Sequence, residues 1–278
     1  MPKPTQRVKN VIAFIEQLIV PSGKGAGKLF KLTKFEKLFI QAVYGPVDSK
    51  LMRIVRRAIL SMARKNGKTA FIACLALTHL VGPEAVRNGE IYSAATERDQ
   101  AALIFKYAAQ IVRADPELES YLKIVDSTKT MVCFSNGSIY RAISSEAGSK
   151  MGYNPTVVIY DELAQAKNRE LYDALDTSMG ARMGEGEEPL FIVISTQAKD
   201  PQHILSQLID DGLRGNDPTT VCHLYEIPEK LDVFDPKNWK LANPALGDFR
   251  SRSEMKTAAK RAQRMPTFEA AFRNLYCN

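Results

Sequence analysis

The segment that decides the fold reads Ile54-Val-Arg-Arg-Ala-Ile-Leu-Ser-Met-Ala-Arg-Lys-Asn-Gly-Lys-Thr69, an apolar run followed by a Gly-Lys-Thr turn. Its β-branched and apolar residues predict a strand over 53–61, and the apolar residues after the turn predict a helix over 70–80. Strand, turn and helix in this order are the context of a phosphate-binding loop, whose pattern is GxxxxGK(S/T). Met62 occupies the place of the first glycine, so the context supports the prediction although the strict pattern fails.

Residues 63–69, called the phosphate loop below, are predicted to hold the phosphates of a nucleotide. Backbone N–H groups of such a turn and of the helix N-terminus point at phosphate oxygens. We expect Lys68 to reach the β- and γ-phosphates and the Thr69 hydroxyl to ligate Mg²⁺. The alternative for this segment alone is a solvated turn before a helix. The predicted nucleotide-binding residues are Arg64, Lys65, Asn66, Gly67, Lys68 and Thr69.

Two carboxylates, Asp161 and Glu162, directly follow the apolar run Thr156-Val-Val-Ile-Tyr160, which predicts a buried central strand. Ionised carboxylates at the end of a buried strand are costly unless they meet a cation. We predict that Asp161 holds Mg²⁺ and that Glu162 polarises an attacking water. The alternative is an N-cap for the next helix. The two motifs stand in the expected order along the chain, which favours the catalytic interpretation.

A third strand, Leu190-Phe-Ile-Val-Ile-Ser-Thr-Gln197, is apolar and ends in small polar residues. In helicase-like ATPases such a strand lies beside the carboxylate strand, and its Ser/Thr residues sense the γ-phosphate. The alternative is ordinary strand termination. We predict that Ser195, Thr196 and Gln197 couple hydrolysis to movement.

Strand and helix patterns alternate along the chain, which predicts a mainly parallel sheet covered on both faces. The predicted fold is α/β, a three-layer P-loop NTPase of the RecA/helicase-like type. We divide the chain into an N-terminal helical segment (1–48), a P-loop core (49–224) and a small lid or linker, called the C-terminal segment (225–278). Further predicted strands are 90–95 and a β-rich stretch over 124–142 that turns at 136–137. Predicted helices are 8–20, 35–44, 98–114, 203–212 and 253–264, with another after Asn168.

Composition favours a globular intracellular protein. No apolar stretch approaches the roughly 20 residues of a membrane span, and the basic N-terminus lacks the apolar run of a cleaved signal. The four cysteines are scattered and form no CxxC pair, so the pattern argues against a zinc site. The net charge of +7 permits a polyanionic partner without proving one.

The chain resembles the ATPase domain of the large terminase subunit of tailed double-stranded DNA bacteriophages, over nearly its whole length. The phosphate loop carries the resemblance together with five further segments. These are Ser93-Ala-Ala-Thr-Glu-Arg-Asp-Gln-Ala101, Gly152-Tyr-Asn-Pro-Thr-Val-Val-Ile-Tyr-Asp-Glu162, Ile194-Ser-Thr-Gln-Ala198, Ala242-Asn-Pro-Ala-Leu-Gly247 and the ending Phe272-Arg-Asn-Leu-Tyr-Cys-Asn278. The family's phosphate loop typically departs from the strict pattern, as it does here at Met62.

The resemblance implies residue roles by position: phosphate and Mg²⁺ binding for Lys68 and Thr69, metal binding for Asp161 and catalysis for Glu162. It also implies a basic residue inserted into a neighbouring subunit's site. Lys150 and Arg141 lie in the region from which that residue comes, and the sequence does not choose between them. Where the family often reads adenine with an aromatic-Gln pair, this chain has Phe35-Glu36.

The resemblance further implies ATP and Mg²⁺ as cofactors and a role in packaging double-stranded DNA, gripped through its phosphate backbone. The implied partners are the portal protein and the small terminase subunit, in the cytoplasm of the host cell. We expect a homo-oligomeric ring on the procapsid and a monomer in isolation. The family's nuclease domain is not expected within residues 1–278. The alternatives are a superfamily-2-like helicase and a nucleotide-binding assembly protein without turnover.

Overall fold

The computed structural model describes residues 3–23, 25–144, 152–184 and 186–278, apart from the side chain of Arg98. Within this part of the chain, eight strands form one sheet in the order β3-β4-β5-β2-β6-β7-β1-β8. All neighbouring strands are parallel except that β4 runs antiparallel to both β3 and β5. The strands are β1 (Arg57–Ser61), β2 (Glu90–Ala95), β3 (Leu122–Val125), β4 (Thr130–Cys133), β5 (Ile139–Ser144), β6 (Val157–Asp161), β7 (Leu190–Ser195) and β8 (Thr220–Leu224).

Helices cover both faces of the sheet, which confirms the predicted three-layer α/β fold. Side chains alternate between the faces along each strand. In β1, for example, Ala58 and Leu60 belong to one hydrophobic cluster and Ile59 to the other. The α-helices are Gln6–Gln17, Lys34–Tyr44, Lys68–Leu80, Arg98–Ala114, Pro116–Ser120, Glu170–Ser178, Ile204–Arg214, Trp239–Ala242, Arg252–Arg264 and Glu269–Tyr276, and the 3₁₀ turns are Leu163–Gln165, Met179–Arg182 and Pro266–Phe268.

Several elements have the predicted bounds, among them β2, β7 and the helix Arg98–Ala114. The predicted turn at 136–137 connects the antiparallel strands β4 and β5, where Gly137 has a positive φ of 73°. These elements were predictable because a strong local pattern and a turn signal coincide in each of them.

Two strand predictions needed correction. β1 begins at Arg57 instead of residue 53, because the preceding backbone bonds to loops: the N–H of Ile54 donates to Pro46, and that of Arg56 donates to Thr219. β8 (Thr220–Leu224) was not predicted. It is an edge strand whose residues are mostly half-buried, so its sequence lacks the continuous apolar run of the central strands.

The C-terminal segment has a hydrophobic cluster of its own. Trp239, Met255 and Phe272 lie at its centre, and Ala63 of the phosphate loop belongs to the same cluster. The segment therefore packs directly on the loop that is predicted to bind phosphate.

No helix in the described ranges is long and apolar enough to cross a membrane.

Candidate functional site

The phosphate loop connects β1 to the helix Lys68–Leu80, and Gly67 precedes that helix in a left-handed conformation with φ 79°. An added Cβ at Gly67 would also lie 2.7 Å from the ring of Phe249, so both backbone conformation and space require glycine here. Beside the loop lies a cavity of about 490 Å³. Its lining residues are Arg64, Lys65, Gly67, Lys68, Thr69, Ala70, Gln100, Tyr107, Glu162 and Gln165.

Lys68 is buried at the base of this cavity. Its Nζ donates to the carbonyl oxygen of Met62 at 2.7 Å and lies 3.7 Å from a carboxylate oxygen of Glu162. Burial lowers the pKa of Lys68, against the opposing effect of the nearby carboxylates Glu162 and Asp161. The Met62 side chain is itself fully buried, so this residue contributes its carbonyl to the site and its side chain to the core.

Asp161 is the last residue of β6, and its Oδ2 accepts a hydrogen bond from Nε2 of Gln100 at 2.9 Å. Burial, followed by the charge of Glu162, raises the pKa of Asp161 to about 7. A cation beside this carboxylate would favour its ionised form. Asp161 is therefore placed as expected for a carboxylate that ionises fully only when a metal ion lies beside it.

Oxygen ligands suited to Mg²⁺ are available from Asp161 and from the hydroxyl of Thr69. Mg²⁺ is usually bound through one or two carboxylates plus substrate phosphates. No group of three or more His, Cys, Asp or Glu side chains suited to a metal occurs among the described residues. The residues present fit a magnesium ion shared with a bound nucleotide.

Glu162 has a left-handed backbone, with φ 51° and ψ 49°, that directs the chain away from β6. Its Oε2 accepts hydrogen bonds from the backbone N–H and the hydroxyl of Thr196, both at 3.3 Å. Its other carboxylate oxygen faces Lys68. The structure thus brings Glu162, Lys68 and Thr196 together, although they lie on three different elements.

The end of β7 connects the carboxylates to the C-terminal segment. The Ser195 hydroxyl accepts from the N–H of Ala164, two residues after Glu162, and the Ser195 carbonyl accepts from the N–H of Met62. Gln197 donates its backbone N–H to Oδ1 of Asn278 and its side-chain amide to Glu226. Ser195 therefore contacts Met62, the residue before the phosphate loop, Thr196 contacts the carboxylate of Glu162, and Gln197 contacts the C-terminal segment.

Asn66, predicted as a nucleotide-binding residue, has a fully buried side chain. Its Nδ2 donates to the carbonyl of Ala63 and to Oδ1 of Asn243, both at 3.0 Å, and its Oδ1 accepts from the N–H of Ala245 at 3.3 Å. The side chain is therefore turned into the C-terminal segment, and only the backbone of Asn66 remains for a phosphate.

The two candidates for a residue acting on a neighbouring subunit differ in what the structure describes. Arg141 lies on β5 opposite Tyr92 of β2. Burial raises the pKa of Tyr92 and of Tyr153, and the positive charge of Arg141 opposes that rise. Arg141 is not among the residues around the phosphate loop of its own chain. Lys150 lies outside the described residues.

Glu36 lies at a second cavity, of about 430 Å³, which shares Gly67, Ala70 and Tyr107 with the first. Its Oε2 accepts from the N–H and the hydroxyl of Thr33, each at 2.7 Å, so the carboxylate caps the helix Lys34–Tyr44. Burial raises the pKa of Glu36. An adenine contact at this position would therefore have to be made by a carboxylate already engaged in a helix cap.

The residues of this site that sequence reasoning missed include Gln100, Asn243 and Phe249. Gln100 and Asn243 belong to segments that carry the family resemblance, so a signal existed without a role attached to it. Phe249 lies in a polar stretch of the C-terminal segment and had no such signal. Only the fold reveals that its ring covers Gly67.

Comparison with known proteins identifies the family of the chain. The family model described as "Terminase large subunit, ATPase domain" matches residues 34–211. The terminase large subunit of Enterobacteria phage HK97 is 44% identical over 276 residues, which are 98% of this chain and 53% of that protein. The chain thus spans about half the length of this relative.

Solved structures give the same result. The crystal structure of the HK97 large terminase matches with a TM-score of 0.88 and 43% identity, over 98% of this chain and 55% of that one. The large-terminase ATPase domain of a Thermus phage shares the fold, with a TM-score of 0.58 and 13% identity over 99% of this chain and 98% of that one. The chain therefore belongs to the family of terminase large-subunit ATPase domains.

Proposed function

We propose that this chain hydrolyses ATP to ADP and phosphate at the phosphate loop and that hydrolysis drives double-stranded DNA into a phage procapsid. The observation that carries the proposal is the contact between Lys68, Glu162 and Thr196. These residues follow the carboxyl ends of three neighbouring strands, β1, β6 and β7. Neither a simple helix cap nor a solvated turn would explain why a lysine and a glutamate are buried together there.

In the proposed reaction, the phosphates of ATP lie on the backbone of residues 65–69 and at the N-terminus of the helix Lys68–Leu80. Lys68 exchanges the carbonyl of Met62 for the β- and γ-phosphates. Glu162 then turns from Lys68 to a water in line with the γ-phosphate and orients that water for attack. Thr69 and Asp161 would hold Mg²⁺, which when bound neutralises charge on the phosphates.

A neighbouring subunit completes the proposed site. Arg141 or Lys150 of that subunit would approach the γ-phosphate and stabilise the charge that spreads over it in the transition state. Such a residue contributes roughly 10³–10⁵-fold in rate in related enzymes. The isolated chain would then hydrolyse ATP slowly and would accelerate on assembly into a ring.

DNA translocation is the second half of the proposal. Loss of the γ-phosphate would change the contacts of Ser195, Thr196 and Gln197. Gln197 would pass this change on through its hydrogen bonds to the C-terminal segment. The duplex would be held through its phosphates, without base readout, by a chain whose net charge is +7. The proposed setting is a ring on the procapsid, with the portal protein and the small terminase subunit as partners, in the host cytoplasm.

A phosphate-release assay of the Glu162→Gln variant tests the catalytic assignment. We expect turnover to fall by about 100-fold or more while nucleotide binding persists, because the variant keeps the volume of the side chain but cannot orient water as a carboxylate does. Glu119→Gln, at an exposed glutamate remote from the cavity, is the matched control. Undiminished hydrolysis by Glu162→Gln would refute the role of Glu162.

The same assay separates the alternatives. A nucleotide-binding assembly protein would bind ATP without releasing phosphate, and a helicase would unwind a duplex as it hydrolysed ATP. A packaging motor is expected to release phosphate without unwinding.

A further inference from the structure

An asparagine pair joins the phosphate loop to the C-terminal segment at a buried point. Asn66 and Asn243 are both fully buried, and Nδ2 of Asn66 lies 3.0 Å from Oδ1 of Asn243. The Nδ2 of Asn243 donates in turn to the carbonyls of Trp239 and Tyr276, at 3.0 and 2.8 Å. Every N–H of the two side-chain amides thus has an acceptor, and each amide oxygen has a donor.

Backbone contacts reinforce this joint. The N–H groups of Ala63 and Arg64 donate to the carbonyls of Ala242 and Leu275, at 3.3 and 2.9 Å. The guanidinium of Arg250 donates to the carbonyl of Arg64. The backbone N–H groups of the first two residues of the phosphate loop are therefore hydrogen-bonded to the C-terminal segment and are not directed at a phosphate.

Buried amide pairs of this kind are costly to separate, because each unsatisfied donor or acceptor loses its partner without gaining water. The loop can therefore not change shape at Asn66 without moving Asn243 or breaking these bonds. The contacts made by Asn243 then carry the displacement to two helices at once, Trp239–Ala242 and Glu269–Tyr276.

We propose that Asn243 is a positioning residue for ATP hydrolysis: through Asn66 it holds the phosphate loop in its binding shape and conveys the occupancy of the loop to the C-terminal segment. This inference rests on the proposed binding of ATP at the loop. It supplies a route distinct from Ser195, Thr196 and Gln197, which reach the C-terminal segment from the carboxylate side of the site.

The chain contains a single tryptophan, Trp239, which makes the proposal measurable. Trp239 is 5% exposed, its indole N–H donates to the carbonyl of Val233 at 2.9 Å, and its own carbonyl accepts from Asn243. Movement of Asn243 should therefore change the emission of the tryptophan. We expect titration of the wild-type chain with ADP and Mg²⁺ to change that emission saturably.

The variants Asn66→Ala, Asn243→Ala and the double variant then form a thermodynamic cycle. Each single variant should raise the KM for ATP by about 10-fold, the loss expected for one buried hydrogen-bonding partner, with a smaller effect on kcat. Each should also abolish the emission change. Because the residues act as a pair, the double variant should be little worse than either single variant.

Asn238→Ala is the matched control, since the side chain of Asn238, next to Trp239, donates to the carbonyl of Asp232 and has no hydrogen bond to the phosphate loop among the described residues. It should keep both the KM and the emission change. Additive effects of the two single variants on KM, or an emission change that persists in Asn243→Ala, would overturn the proposal.

If the alanine variants do not fold, amide hydrogen exchange of the wild-type chain tests the proposal instead. Binding of ADP and Mg²⁺ should alter protection of the amides in Trp239–Ala242, and unchanged protection would overturn the proposal. If the wild type hydrolyses ATP but shows neither response, the inference fails and the proposed function stands. If the wild type binds no nucleotide, the proposed function fails as well.

Discussion

Glu162 combines a catalytic type of side chain with a backbone conformation that costs energy. A residue with a Cβ in the left-handed region is strained by about 1–2 kcal/mol relative to glycine. Here β6 ends at Asp161, and the backbone N–H of Glu162 still donates to the carbonyl of Ile194 at 2.7 Å on β7. The turn directs the carboxylate towards Lys68 and Thr196, so the strain accompanies the geometry of the site.

A comparison of Glu162→Gly with Glu162→Ala measures this strain. Both variants lose the carboxylate and should lose activity. We expect Glu162→Gly to be more stable than Glu162→Ala by about 1 kcal/mol, because glycine adopts positive φ without penalty. Urea unfolding of the two proteins gives the difference, and equal midpoints with equal slopes would contradict a strained backbone.

The sequence motifs predicted the residues proposed to contact the nucleotide. They did not predict the residues that hold those side chains in place. Lys68 and Glu162 follow from a short local pattern, because their chemistry requires a fixed place after a strand. The buried side chain of Asn66 did not follow from its pattern, since a polar residue in a loop is ordinarily solvated. Its partner Asn243 is remote in sequence, and only the packing of the C-terminal segment brings the two together.

At the scale of the element, strand β7 aligns the site because it lies between β6 and β1 in the sheet. Asp161 pairs in register with Ile194, and Ser61 pairs with Ser195. Thr196, the first residue after the paired part of β7, therefore contacts Glu162 on the β6 side of this strand. The phosphate loop lies on the β1 side. The apolar sequence predicted that β7 is a strand. It did not predict that β7 lies between β6 and β1, which depends on the strand order of the whole sheet.

Substitutions at Thr196 test this alignment. Thr196→Val keeps the shape of the side chain and removes its hydroxyl donor, so we expect kcat to fall by about 10-fold as Glu162 loses one of its hydrogen bonds. Thr196→Ser keeps the donor and serves as the control, with kcat close to that of the wild type. Steady-state phosphate release measures both, and an equal loss in the two variants would argue for packing in place of hydrogen bonding.

At the scale of the whole molecule, a charged cluster far from the phosphate loop joins the N-terminal helix to the core. Arg7 donates to Glu84 at 2.7 Å and to Glu188 at 2.8 Å. Arg53, almost wholly buried, donates its backbone N–H to the carboxylate of Glu188. The cluster connects the helix Gln6–Gln17, the segment after the helix Lys68–Leu80 and the approach to β7.

The cluster predicts a defined dependence of stability on pH. Burial alone would raise the pKa of Glu188, but hydrogen bonds and charge from Arg7 and Arg53 lower it to about 2. Because this pKa is below the unfolded value of 4.5, the ionised carboxylate stabilises the fold above about pH 4.5. That stability is lost as pH falls towards 2, by about 3 kcal/mol at most.

Unfolding of the Glu188→Gln variant at two pH values checks this prediction. The variant should be clearly less stable than the wild type at pH 7, and the difference should shrink by pH 3. Glu119→Gln, at an exposed position, should show no such convergence. A difference that stays constant between pH 7 and pH 3 would show that the ionisation of Glu188 contributes nothing.

The order of the strands also sets a length. Strands within a sheet are spaced about 4.8 Å apart, so β7 separates β1, which precedes the phosphate loop, from β6, which ends at Asp161, by about 10 Å. The side chain of Lys68 already crosses this gap, since its Nζ lies 3.7 Å from Glu162. In the proposed complex a triphosphate, being longer than a diphosphate, would reach further from the loop towards Glu162, so the strand order would favour contact between Glu162 and the third phosphate.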